Sequence, residues 1–177
     1  MRRTFEYKGK AVEIEQTLKR AEVFLGLDDS DLSKIAALPS CQKEAYKPEE
    51  IVFRGGNEAK YLYILEVGQI DLVMKVPPKA RQAPSQVIVD RITKGGLFGW
   101  SALVKPHVYV MSAICKEAAV IVRISGAELT ALFDSDQNIG YKVFQSLSHI
   151  IGARLRDVER VLATGKRWPF LVKQTDL

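Results

Sequence analysis

Cysteine and histidine are scarce in this chain, and no long apolar run is present. The two cysteines, Cys41 and Cys115, stand far apart among 177 residues. That is too few for a disulfide scaffold, a thiolate metal cluster or an iron–sulfur centre. The two histidines, His107 and His149, have no carboxylate or cysteine at ligand spacing, so no metal site is expected. No apolar stretch approaches the roughly 20 residues that cross a bilayer. No apolar run follows Arg2 and Arg3 as a secretion signal would require, so a soluble, cytoplasmic chain without membrane contact is the expectation. Net charge is a mild +5 at pH 7. It favours an acidic partner or ligand and falls well short of a nucleic-acid-binding balance. Ser101 and Ser112 have no neighbouring histidine to activate them, and no pair of carboxylates is set up as acid and base, so no enzyme is expected. What remains is ordinary globular material, 47% apolar and 27% charged, long enough to bury a core.

The first third reads as helical. Val12, Ile14, Leu18, Ala21 and Leu25 recur near a helix period over residues 11–25. Asp28-Asp29-Ser30 supplies N-cap chemistry for a second helix through Leu38, which Pro39 ends. Between residues 41 and 124 the texture changes to short β-rich runs, at 51–53, 61–66, 70–76, 86–92, 108–115 and 118–124. Turn residues at 47–49, 55–57, 68 and 94–96 punctuate them, which predicts an antiparallel barrel or sandwich. The proline-rich stretch 77–84 reads as an exposed hairpin tip. Beyond Gly126 a short helix is predicted near 127–133, then a long one over about 137–163, capped by Asp134-Ser135-Asp136. Phe144, Leu147, Ile151, Leu155, Val158 and Leu162 recur along it at spacings of three and four, and Ile139, Val143 and Ile150 form a second row. A stripe that wide can face its own domain and a partner helix together.

The most informative stretch is Lys94-Gly95-Gly96-Leu97-Phe98-Gly99-Trp100-Ser101-Ala102-Leu103. It reads as a strand entering a glycine-rich turn and one short helical turn, whose free amides suit an anion. This stretch resembles the phosphate-binding cassette of the cyclic nucleotide-binding domains. The resemblance extends to Val23-Phe24-Leu25-Gly26-Leu27-Asp28-Asp29-Ser30-Asp31-Leu32, to Lys47-Pro48-Glu49-Glu50-Ile51-Val52-Phe53-Arg54-Gly55-Gly56-Asn57 and to Tyr61-Leu62-Tyr63-Ile64-Leu65-Glu66-Val67-Gly68-Gln69-Ile70. It spans roughly residues 11–163. It implies a mainly β fold with flanking helices, a double-stranded β-helix (jelly-roll or β-roll) followed by a long C-terminal dimerisation helix. The implied division is N-terminal helices over 1–40, the β-roll over 41–125, the short and long helices over 126–163, and a basic, aromatic tail over 164–177.

The resemblance assigns a cassette-equivalent site to Gly95, Gly96, Phe98, Gly99, Trp100, Ser101, Ala102, Leu103, Tyr109, Val110 and Ser112. Two polar partners are missing from it. The family's glutamate, which accepts a bond from the ribose hydroxyl, is replaced by Trp100. Its arginine, which pairs with the cyclic phosphate, is replaced by Tyr109, and Val110 and Met111 follow where small residues are usual. Neither a phenol nor an indole copies a bidentate guanidinium contact. Hydrogen bonds to charged groups contribute about 1.5–3 kcal/mol each, so losing both weakens binding by roughly 3–5 kcal/mol, on the order of a few hundred- to a few thousand-fold. On the long helix, Val158 and Glu159 stand where some relatives set small hydroxyl residues against the base. Three pocket states stay open: filled by Trp100 and Tyr109, open to a less polar effector, or holding a cyclic nucleotide through loop amides with Lys94, Lys105 or Arg91.

The tail carries Lys166, Arg167 and Lys173 around Trp168-Pro169-Phe170-Leu171-Val172. Only 14 residues follow Ala163, too few for the helix-turn-helix domain of the transcription-factor branch, so sequence-specific DNA binding is not expected. Dimer contact is expected through Phe144, Leu147, Ile151, Leu155, Val158 and Leu162. The reading is a non-enzymatic regulatory or effector-sensing module with weak or no cAMP and cGMP binding and no resident cofactor. It would act through a homodimer or a separate output protein. The alternatives are a genuine cyclic nucleotide-binding protein and a ligand-free interaction module.

Overall fold

Two four-stranded antiparallel sheets enclose the roll in this computed structural model, which describes residues 10–76 and 85–164. The chain begins with α1 (Lys10–Lys19), a 3-10 turn (Glu22–Phe24) and α2 (Asp29–Ala36). Six strands follow: β1 (Gln42–Tyr46), β2 (Ile51–Phe53), β3 (Tyr61–Val67), β4 (Ile70–Val76), β5 (Ser85–Ile92) and β6 (Leu97–Phe98). A second 3-10 turn (Trp100–Leu103) precedes β7 (Ser112–Cys115) and β8 (Ala119–Ser125), and α3 (Gly126–Ser135) and α4 (Gln137–Thr164) complete the chain. One sheet runs β1-β8-β3-β6 and the other β2-β7-β4-β5.

Alternation along β8 divides the core in two. Ile121 points into the roll, while Val122 and Ile124 point outward onto the helices. The helix-facing core gathers Leu18, Phe24, Ile35, Leu62, Ile64, Leu129, Ile139 and Val143, all at most 1% exposed. Caps end the helices where the sequence signals them. Asp28 accepts the Asp31 N–H at 2.9 Å at the start of α2, and Asp136 accepts the Ile139 N–H at 3.4 Å at the start of α4. Gly68, at φ 95°, makes the β3–β4 turn, where an added Cβ would lie 2.4 Å from the Ala118 carbonyl oxygen.

Three expectations need correction. The helix predicted over 11–25 stops at Lys19, because the chain turns so that Glu22 can bind the cassette loop. Its N–H donates to the Gly95 carbonyl at 3.2 Å and its carboxylate accepts the Leu97 N–H at 3.0 Å. The strand predicted over 108–115 shortens to Ser112–Cys115. Residues 108–109 instead bond the 56–59 segment through the Glu58–Val108 bridge and the Tyr109 N–H to the Asn57 carbonyl at 2.9 Å. Strand β1 was not expected, since Gln-Lys-Glu-Ala-Tyr has little strand propensity; its pairing with β8 supplies the order. The proline-rich stretch 77–84 lies outside the described residues.

Candidate functional site

The cassette begins where β6 meets Gly99. This glycine sits at φ 72°, and a Cβ there would approach the Tyr63 ring at 2.8 Å and the Tyr61 carbonyl oxygen at 2.9 Å. Its left-handed backbone turns the chain into the four-residue 3-10 turn Trp100–Leu103, which buries Ala102 and Leu103. Three amides of the cassette loop are engaged by the chain's own carbonyls. Gly95 N–H donates to the Leu65 carbonyl at 2.8 Å, Gly96 N–H to Thr93 at 2.9 Å, and Ala102 N–H to Gly99 at 3.1 Å.

Tyr109 dominates the far wall. It is 4% exposed, and its ring stacks on Phe53 with centroids 3.8 Å apart and planes 15° from parallel. Its hydroxyl donates to the Tyr61 carbonyl at 2.9 Å and accepts the Tyr61 N–H at 3.1 Å. Its own backbone is held too, since Gly56 N–H donates to the Tyr109 carbonyl at 2.7 Å. The side chain is therefore fixed in the roll by stacking and by both backbone polar groups of Tyr61, on the edge of β3 that β6 does not reach. Burial pushes its phenol pKa up. Phe98 and Tyr63 continue the aromatic interior, with centroids 5.1 Å apart. Burial raises the Tyr63 phenol as well, reinforced by Tyr109 beside it.

A dimple of about 40 Å³ lies between Phe53, Leu72, Trp100, Ser101, Tyr109 and Met111. Trp100 is half-buried at this rim and also packs against the helix-facing core. Val110 stands on the rim with its side chain outward, 67% exposed. Ser112 is used structurally, accepting the Gly55 N–H at 3.0 Å. Two of the three basic residues considered as substitute phosphate partners are used elsewhere. Arg91 is committed to Asp71 by two bonds of 2.6 and 3.0 Å, and Lys94 lines a separate cleft of about 280 Å³ with Arg20, Lys43 and Glu66.

Two contributors were not singled out from sequence. Phe53 was read only as part of a strand, though it carries the stack under Tyr109. Arg154 is one of several arginines on the long helix, yet its Nη2 donates to the Leu97 carbonyl at 2.7 Å, and its Nε lies 3.4 Å from Asp90. Its Nη2 also lies 3.6 Å from Glu22. It thereby ties α4 to β5 and to the strand that leads into the cassette. No local pattern signals such a contact.

Along α4 the proposed dimer row splits. Leu147 is 2% exposed and belongs to the domain's own core with Ile139 and Val143, and Ile151 packs partly on that core. Phe144 and Leu155 face outward at 42% and 55% exposure, joined by Tyr141 at 69%. The side chains of Val158 and Leu162, and the whole Trp168–Val172 segment, lie outside the described residues. Both cysteines are buried and free. Burial pushes each thiol up to about 12, Cys41 with help from Glu128 and Cys115 with help from Glu50. Among the described residues no group of three or more metal-ligating side chains assembles, and no helix is long and apolar enough to cross a membrane.

A family model for the cyclic nucleotide-binding domain matches residues 43–136, just over half of the chain. No curated protein matches. Among solved structures, a protein from Geobacter metallireducens GS-15 named for cyclic nucleotide binding is 23% identical, with a TM-score of 0.65, over 80% of this chain and 97% of that one. A cyclic nucleotide-binding domain from Methylobacillus flagellatus KT is 16% identical, with a TM-score of 0.71, over 94% and 86%. The regulatory subunit of a cAMP-independent protein kinase A from Trypanosoma cruzi, bound to guanosine, is 18% identical, with a TM-score of 0.64, over 93% and 55%. At these identities the likeness is one of fold.

Proposed function

This chain belongs to the cyclic nucleotide-binding domain family, and we propose that it is a non-enzymatic regulatory module whose cassette is closed by its own Tyr109. On this reading it binds cAMP and cGMP weakly or not at all. One observation carries it: a buried, stacked tyrosine bonded to both polar groups of Tyr61 stands where the family's arginine would meet phosphate. The opening left beside it is about 40 Å³, against the roughly 300–1,000 Å³ of small-molecule sites. The engaged amides of Gly95 and Gly96 and the paired Arg91 weigh against a phosphate held by substitutes.

Output runs through α4. Tyr141, Phe144 and Leu155 lie on the outward half of a helix whose inward half is Ile139, Val143 and Leu147, with Ile151 between the two. A second copy of the chain is the partner this outward half suits best, with a separate output protein as the other recipient.

Isothermal calorimetry with cAMP and cGMP tests the first part. No measurable heat is expected with the natural protein, and Trp100→Glu combined with Tyr109→Arg should create binding. Micromolar or tighter affinity in the natural protein overturns the reading. A second reading has its own support, since a relative of this fold is bound to guanosine, which carries no phosphate, and the dimple here is walled by aromatic rings. Including guanosine in the titration decides whether an uncharged effector displaces Tyr109.

A further inference from the structure

A cleft of about 280 Å³ opens between α1, β1, the end of β3 and the Lys94–Gly95 turn. It shares no lining residue with the dimple of about 40 Å³ beside Tyr109, and its volume approaches the roughly 300–1,000 Å³ of small-molecule sites. Backbone bonds hold its walls in place. Gly95 N–H donates to the Leu65 carbonyl at 2.8 Å, Leu65 N–H to the Gly96 carbonyl at 3.1 Å, and Glu22 N–H to the Gly95 carbonyl at 3.2 Å. A Cβ on Gly95 would lie 2.8 Å from the Arg20 carbonyl oxygen, so the turn and the end of α1 are in close contact. A cleft formed in advance loses little to ordering when a ligand enters.

Charge in this cleft is unevenly answered. Its lining carries three cations, Arg20, Lys43 and Lys94, against two carboxylates, Glu13 and Glu66. Lys43 serves both carboxylates, at 2.8 Å from Glu66 and 3.7 Å from Glu13. Arg20 and Lys94 make no ion pair or side-chain hydrogen bond with another described residue. The contact between Gly95 and the Arg20 backbone brings these two cations to one side of the cleft. What is left over is therefore positive, a guanidinium beside an ammonium, and that is the chemistry that binds carboxylates and phosphates. Lys94, considered above as a phosphate partner for the cassette, has its place here instead.

We propose that this cleft is an oxyanion site, taking a small molecule with phosphate or carboxylate groups on Arg20 and Lys94. The site rests on the reading that Tyr109 closes the cassette, and it gives that regulatory module an effector position outside the roll. Glu22, two residues beyond Arg20, accepts the Leu97 N–H, and Arg154 of α4 meets both the Leu97 carbonyl and Glu22. An anion that draws Arg20 and Lys94 together thus bears on the contacts that hold α4.

Calorimetric titration of the full chain with sodium phosphate and with sodium succinate, against sodium chloride at matched ionic strength, tests the site. One of the two oxyanions should bind saturably. Arg20→Gln with Lys94→Gln should weaken it roughly ten-fold or more, and both side chains are exposed, so the fold is kept. Tighter phosphate identifies a phosphate-bearing ligand, and tighter succinate a dicarboxylic acid. No saturable binding of either, the same response to chloride, or equal binding by the double variant overturns the site. With the anion bound, amide hydrogen exchange should slow at residues 13–20 and 94–97. Slowing at 99–111 instead assigns the anion to the cassette and also overturns the proposal. Titrating cAMP into both proteins separates the two readings. Tight cAMP binding that survives the double substitution, while oxyanion binding is lost, removes the Tyr109 closure and leaves the cleft site standing. No binding of cAMP or of either oxyanion removes the cleft site and leaves the closure.

Discussion

On the side facing the helices, the buried residues are almost all aliphatic, with Ile14, Leu18, Leu32, Ile35, Leu62, Ile64, Leu129 and Val143 interlocked. Inside the roll the filling is aromatic and hydroxylated, with Tyr46, Tyr63, Phe98 and Tyr109 packed beside Phe53 and Tyr61. The polar ends of this second set need partners, and they find them locally. Tyr46 donates to Glu44, Tyr109 bonds Tyr61, and Arg123 lies 4.6 Å over the Tyr61 ring while its Nε sits 2.9 Å from Glu44 without hydrogen-bond geometry. The first region is packing alone. The second joins stacked rings to hydrogen bonds made within the roll, and that contrast is what the family membership by itself would not reveal.

The sharpest way to break the comparison is to remove one large side chain from each region. Tyr109→Ala should cost about 3–5 kcal/mol and Leu129→Ala about 2–5 kcal/mol, measured by urea unfolding. Only the first should recover stability on adding phenol, because its cavity is shaped and hydrogen-bonded for that ring. Equal recovery, or none, would erase the distinction. Tyr109→Phe isolates the polar part. It leaves the Tyr61 N–H and carbonyl unpaired and should cost about 1–3 kcal/mol, whereas a neutral result means water takes the hydroxyl's place. On the surface of α4, Phe144→Ala with Leu155→Ala should shift unfolding by no more than about 0.5 kcal/mol per site. Sedimentation should show weakened self-association, which Leu147→Ala would weaken only by unfolding the domain.

The smallest effect expected is chemical. Each region holds one buried thiol, Cys41 on the helix side and Cys115 in the roll, and each is pushed up to about 12. Raised values mean the thiolate is scarce at pH 8 and grows only as pH climbs toward 12, so iodoacetamide should label neither until the protein unfolds. Faster labelling of Cys115 than Cys41 in the native protein would show that the roll opens more readily than the helix-facing core.

Much of this was legible in the residues. Short β-rich runs between turn residues located β3, β4, β5 and β8, and the apolar spacing beyond residue 137 located the long helix. The turn glycines Gly68 and Gly99 stand where a left-handed backbone is needed. Leu147 was assigned to a partner because spacing of three and four cannot separate two adjacent rows on one helix; only the neighbours it meets do so. β1 escaped notice because its order comes from β8 across the sheet. The break at Lys19 escaped notice because Glu22 answers to Leu97 and Gly95, seventy-odd residues away in sequence.

The order of residues alone determined that Trp100 and Tyr109 are an indole and a phenol and carry no charge, since identity at a position is a property of the chain. It could not say where those side chains go. Whether Tyr109 would turn outward or inward depended on a ring to stack on and on a strand edge with both polar groups free. Phe53 and Tyr61 are brought to Tyr109 only when two sheets close on each other. The tertiary structure decided that the phenol goes in, because there it buries its ring and leaves no hydrogen-bonding group of Tyr61 unanswered on that edge.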